Sequence, residues 1–302
     1  MRVTFRTITC LAVLLSLAWA CAGTPTSAQT QEMLPDQSAV KAKQLLAQVI
    51  AAMGGQAYLN VHDTQCDGRI AEFGTAGTLM GFSYFRDLWI LPDKHRVEYI
   101  SKGEHSILAF LVGTDTLLIT HGGELVTIFN GNEAWTLDKS GVSNEPDDVI
   151  QAFQEQVKTG MNNMLRRRIN EPGVDAHYAG PDLIDLKEAE WIEFTDPEHH
   201  DMRLGVDTHN HLPLRWVVAT RNPETRERTE MITSYTQYLL VDGVKAPLSL
   251  ELYRGDRKLS QTFLTNCKYN ADLDPQLFTR AWLEAHAAEL AKKGYKDTKS
   301  SK

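Results

Sequence analysis

Four histidines crowd one stretch of the chain: His199, His200, His209 and His211. On a strand, the spacing of His209 and His211 would aim both rings to one side, as a zinc site requires. Here that pair falls in a turn at 207–212, and His199-His200 falls in the turn after Asp196-Pro197. Successive hairpin turns lie at opposite ends of an antiparallel sheet, so the four rings are expected in solvated turns, not around one ion. A zinc hydrolase built on them is the third and least favoured functional reading. The carboxylates Asp185, Glu188, Glu190 and Glu193 could supply an acid and a base, but nothing selects a pair, and a solvated strand edge explains them. Arg166-Arg167-Arg168 closes a helical stretch, where cations complement the helix dipole; contact with an anionic membrane surface or partner is the sharper alternative. No GxSxG elbow, GK[ST] phosphate loop, HExxH, GxGxxG or CxxC is present. No catalytic residue, metal ligand or cofactor is assigned, and the chain reads as non-enzymatic.

What remains is apolar. Phe82, Phe85, Trp89, Phe129, Trp135, Trp191 and Trp216 are the candidates to line a cavity, with packed core as the alternative. The stretch 82–91 supports the cavity. Phe82, Tyr84, Leu88 and Ile90 share one face, while Phe85, Trp89 and Leu91 share the other. A strand apolar on both faces has core on both sides, or core on one and a cavity on the other. Cys66 and Cys267 fall on the first and last major strands and are the disulfide candidates, against two buried thiols.

The elements that must hold these residues follow from periodicity. A polar linker precedes a helix over 38–53, started near Asp36 or Ser38 and stopped by Gly54-Gly55, with a second short helix at 57–61. Strands are expected near 64–73, 81–91, 95–101, 107–112, 116–120, 124–129 and 133–138, the last two joined at Asn130-Gly131. A helix over 147–170, with Ser143 or Asn144 as cap and Pro146 in its first turn, ends at Glu171-Pro172-Gly173. Strands resume near 175–180, 184–195, 201–207, 213–221, 227–237, 246–254 and 257–269, before a final helix from Asp274-Pro275 to about Lys293. The fold class is mainly β with helices (α+β): one large curved antiparallel sheet, or half-open β-barrel, covered by helices.

The 302 residues carry a net charge of −8, or −10 without residues 1–28, which hold Arg2 and Arg6 and no acid. Such a chain has no broad attraction for phosphate backbones, so nucleic acid is not an expected partner. Residues 1–28 read as a signal peptide. A charged start is followed by an apolar run from Cys10 to Ala20, shorter than the ~20 residues of a spanning helix, and then by the small residues Thr26-Ser27-Ala28. The expected layout is a signal peptide at 1–28, a linker at 29–37, one domain at 38–294 and a polar tail at 295–302. The protein is expected to be exported and periplasmic; the alternative is a lipoprotein anchored through Cys21.

Three segments in order carry a resemblance. They are Ile128-Phe129-Asn130-Gly131-Asn132-Glu133-Ala134-Trp135; Leu204-Gly205-Val206-Asp207 running to Leu212-Pro213-Leu214-Arg215; and Tyr238 with Val241-Asp242-Gly243-Val244-Lys245-Ala246-Pro247. With Leu273, Asp274 and Phe278 behind them, they resemble the LolA/LolB-like periplasmic lipoprotein-carrier superfamily over roughly residues 40–280. The resemblance implies a half-open barrel around an apolar cavity that shields lipoprotein acyl chains or other lipids, without a cofactor. The carriers' gating arginine could correspond to Arg69, Arg86 or Arg96, all on early strands. The leading expectation is a non-enzymatic carrier in outer-membrane biogenesis that makes transient membrane contact. The alternative is an envelope-stress sensor of the same fold, with an envelope protein as partner.

Overall fold

The computed structural model describes residues 34–100, 124–221 and 228–300. The expected signal peptide and the strands expected at 107–112 and 116–120 lie outside these residues. Helix α1 (Pro35–Ala52) and the short α2 (Gln56–Leu59) come first. Six strands follow: β1 (Asp63–Phe73), β2 (Leu79–Ile90), β3 (Lys94–Ile100), β4 (Glu124–Asn130), β5 (Glu133–Asp138) and β6 (Gly141–Asn144). Helices α3 (Asp147–Thr159) and α4 (Met161–Arg166) lead to a second run: β7 (Asp175–Ile184), β8 (Lys187–Thr195), β9 (Asp201–Asp207), β10 (Pro213–Arg221), β11 (Arg228–Val241), β12 (Val244–Arg254) and β13 (Arg257–Tyr269). A 3₁₀ turn at Pro275–Phe278 introduces α5 (Arg280–Ser300).

All these strands form one antiparallel sheet, in the order β6-β5-β4-β3-β2-β1-β13-β12-β11-β10-β9-β8-β7. Every neighbour is consecutive in sequence except β1 and β13. The architecture is therefore two meanders, β1 to β6 and β7 to β13, joined along one seam. The segment carrying α3 and α4 starts from the edge strand of one meander and ends at the edge strand of the other. Its side chains reach both. Phe153 of α3 stacks on Phe129 of β4 with ring centroids 4.2 Å apart, while the Thr159 carbonyl accepts the Trp216 indole N–H of β10 at 2.9 Å. The sheet is accordingly curled, with this helical strap across its concave face.

Strand β4 shows how sequence pattern follows from the layers. Leu125 and Phe129 pack on α3 with Val149 and Phe153, while Val126 and Ile128 pack on Phe278 and Leu283 behind the sheet. Both faces are dry, so the strand reads as a continuous apolar run and not as an alternation. A third cluster unites Leu45, Leu46 and Val49 of α1 with Met164 and Leu165 of α4 and with Ile192, Phe194, Leu204 and Val206 of β8 and β9. Each such side chain contributes roughly 1.5–3 kcal/mol when removed from water.

Three local expectations are corrected. The helix expected over 147–170 is broken at Gly160, which is extended (φ −69°, ψ 133°), and Ser143 and Asn144 belong to β6, leaving Pro146 as the cap residue. The strand boundary expected between 180 and 184 lies at Asp185-Leu186, both with positive φ (49° and 65°). Leucine seldom adopts that conformation, which is why the turn is not visible in composition. At the other end α5 runs beyond Lys293 to Ser300. Gly54 (φ 121°) does more than stop α1: a Cβ there would lie 2.2 Å from the Gly243 carbonyl oxygen, so the helix end abuts the β11–β12 turn.

Candidate functional site

A cavity of about 360 Å³ lies under the strap and straddles the seam. Trp89 of β2, Cys66 of β1, Leu264 of β13, Leu250 of β12 and Tyr235 of β11 line the sheet side. Gln156 and Val157 of α3, Gly160, and Met161 and Arg166 of α4 line the helical side, and Met53 closes one end. Alternation aims the sheet residues inward. Cys66 and Asp87 are opposite each other, as are Thr64 and Trp89, so all four share the concave face. At the seam the sulfurs of Cys66 and Cys267 are bonded, 2.09 Å apart.

One wall is aromatic. Trp89 stacks on His95 at 4.0 Å and faces Phe153 at 5.8 Å, and His95 Nε2 meets Asp87 Oδ1 at 2.6 Å. The opposite wall carries Arg166, whose guanidinium lies 4.3 Å above the ring of the fully buried Tyr58. The Tyr58 hydroxyl donates to Asn162 Oδ1 at 3.0 Å, and burial pushes its pKa up to about 12. Arg166 Nε is shielded from solvent and has no hydrogen-bond acceptor among the described residues, and burial pulls the guanidinium pKa down. Leaving such a donor unpaired costs about 1–3 kcal/mol, more when it is charged.

Of the seven aromatic candidates, Trp89 alone lines this cavity. Phe129 and Trp216 are buried in the core around it, and Phe85 is half-buried, 6.4 Å from Tyr99. Phe82, on the strand's other face, is 55% exposed. Trp135 is buried behind the sheet with Phe278, and Trp191 packs with Ile184, Ala189 and Leu214 outside the strap. The two apolar faces of β2 thus divide, with Trp89 on the cavity and Leu88 and Ile90 beneath α5.

The other sequence candidates are spread over the molecule. The histidine pairs occupy turns at opposite ends of β9. His209 is exposed, whereas His200 is held by Asp196 (Nδ1 to Oδ2, 2.7 Å) and Glu155 (Nε2 to Oε2, 2.9 Å). Donor atoms of Asp196, Glu198 and His200 lie within 4.8 Å of one another, but Arg168 Nη1 already sits 3.0 Å from Asp196 Oδ2. Burial opposes ionisation of Asp196, yet hydrogen bonds from His200 and Arg168 outweigh it and hold the pKa at about 2. A second cleft, of about 480 Å³, borders this network and is lined by Lys158, Arg167, Arg168, Glu171 and Glu198.

The arginine run is not a solvated helix end, as expected, because its members point three ways: Arg166 to the cavity, Arg167 to solvent and Arg168 to Asp196. Nor is β8 an edge, since β7 and β9 flank it, and its Glu190 accepts from Tyr178 (3.0 Å) and pairs with Lys41 of α1 (2.8 Å). Asp185 pairs with Arg215, and Glu188 and Glu193 face solvent. None of the three early arginines lines the cavity: Arg86 pairs with Asp67, Arg96 with Glu98 under Trp282, and Arg69 lies against Phe263.

No family model matches the chain, and no curated protein matches it. Solved structures do. A DUF1329 family protein from Desulfovibrio piger superposes with a TM-score of 0.50 at 11% identity, covering 80% of this chain and 98% of that one. A LolA superfamily protein from Nitrosomonas europaea superposes equally well (TM-score 0.50, 12% identity), covering 80% and 99%. At these identities the likeness is one of fold: this chain's open, curved antiparallel sheet with its helices superposes on that of a LolA superfamily protein.

Proposed function

We propose that this protein is an exported, non-enzymatic binder of acyl chains, which it holds in the cavity between the curved sheet and the helical strap. One observation carries the reading: a cavity of about 360 Å³ whose sheet wall is mainly apolar, Trp89, Leu250 and Leu264 included, lies inside a fold shared with a LolA superfamily protein. The physical need is plain. Each methylene exposed to water costs about 0.8 kcal/mol, so a lipid leaving a membrane needs a dry substitute. The leader-like residues 1–28 support a periplasmic setting for that need, with lipoprotein acyl chains or other lipids as the cargo and transient membrane contact.

The test is titration of the delipidated, folded protein with an environment-sensitive fluorescent acyl probe. A saturable one-site gain in fluorescence is expected, and Trp89→Ser should weaken it roughly tenfold without loss of secondary structure. Absence of saturable binding would sink the reading and leave an envelope interaction protein of the same fold.

A further inference from the structure

The charge lining the cavity runs against the charge of the whole chain. The protein is acidic overall, with a net charge of −8. Yet two cations, Arg166 and Lys245, line the cavity, and the one carboxylate among its lining residues, Asp87, is engaged by His95. Among the described residues no carboxylate pairs with Arg166 or Lys245. Arg166 is held in place all the same, with its guanidinium carbon 4.3 Å from the centre of the Tyr58 ring and its Nε screened from water without an acceptor. A fixed, desolvated guanidinium beside an apolar space is half of a charge-assisted pair. The described residues offer it the Tyr58 hydroxyl and no anion.

We propose that Arg166, assisted by Lys245, binds the anionic head of a single-chain amphiphile whose hydrocarbon tail fills the cavity toward Trp89. This deepens the acyl-binding reading and rests on it. Size argues for one chain. A methylene takes about the ~30 Å³ that a water occupies in the liquid, so the space holds on the order of a dozen carbons. A single chain ending in carboxylate or phosphate fits that space. The helical location of Arg166 gives the head a fixed address: α4 is packed on α1 and on the sheet through Met164 and Leu165, so the guanidinium cannot follow a ligand outward.

The experiment is isothermal titration of the delipidated full-length protein with twelve-carbon ligands that differ only at the head: laurate, dodecyl phosphate, dodecanol and dodecyltrimethylammonium. Laurate or dodecyl phosphate should bind at least roughly tenfold more tightly than dodecanol, as a charge-assisted hydrogen bond predicts. The tighter of the two assigns the head as carboxylate or phosphate. Arg166→Gln should bring the anionic ligands down to the dodecanol level, and Arg166→Lys should retain part of the preference. Far-UV circular dichroism of each variant serves as the folding control. Equal binding of laurate and dodecanol by the natural protein would overturn the anionic site and leave the acyl cavity standing. Tighter binding of dodecyltrimethylammonium would do the same. Binding of none of the four would overturn both.

Discussion

Cys66 and Cys267 are direct partners across the β1–β13 seam, with Cα atoms 4.1 Å apart and a separation of 201 positions in sequence. Among the described strands, their bond lies at the one place where the sheet joins two that are not consecutive. It also borders the cavity, which Cys66 lines.

Cross-linking so long a loop restricts the unfolded chain, and the chain-entropy relation gives about 5 kcal/mol. Cys66→Ala/Cys267→Ala protein should therefore unfold at markedly lower urea concentration than the oxidised natural protein. Reductant should shift the natural protein, and not the variant, by the same amount. Identical midpoints with and without reductant would show that the bond adds nothing.

Acid should loosen the far end of the strap. The Asp196 carboxyl has a pKa of about 2, below its ordinary value, so its contribution is present above about pH 4 and is lost as pH falls through the folded value. The loss amounts to roughly 2 kcal/mol between pH 4 and pH 2. Denaturant titrations across that range should show this slope, and Asp196→Asn should flatten it while lowering stability at neutral pH.

Phe153 anchors α3 to the sheet, fully buried against Phe129 and Trp89. Phe153→Ala should cost about 3–5 kcal/mol. Limited proteolysis should then cut first within 147–159; protection equal to that of the natural protein would show that α3 is held elsewhere.

Gly54→Ala meets two obstacles, a φ of 121° and the Gly243 carbonyl oxygen 2.2 Å from the new Cβ. A loss of about 2–4 kcal/mol is expected in thermal or urea unfolding. Gly55→Ala, at φ 58° with open space around its Cβ, should cost less.

Much of the sheet was legible because each hairpin is local and its turn chemistry shows, as at Asn130-Gly131 and Asp242-Gly243. The two dry sides expected of β2 hold only near its end, where Trp89 faces the cavity and Leu88 and Ile90 pack beneath α5; Phe82 and Tyr84, on the latter face, are exposed. The β7–β8 turn was hidden because its corner is Asp185-Leu186 and not a glycine pair. The split of the central helix was hidden because Gly160 interrupts a pattern that remains apolar on either side. Arg166 was missed because a run of three arginines looks like a helix terminus. The three part company because only Arg166 lies in α4, while Arg167 caps it and Arg168 opens a 3₁₀ turn.

The seam also dictates an order of assembly. A chain made from its N-terminus can zip β2 to β6, and later β7 to β12, as each strand emerges beside its predecessor. Strand β1 has no such luxury on its second side, because its partner β13 is the last strand made. Until then β1 presents an unpaired edge of backbone donors and acceptors, the kind of template on which strands of other molecules add. Closing it is the most distant contact in the sheet and the slow step that topology imposes. The early half of the molecule must therefore be kept from its neighbours until β13 arrives.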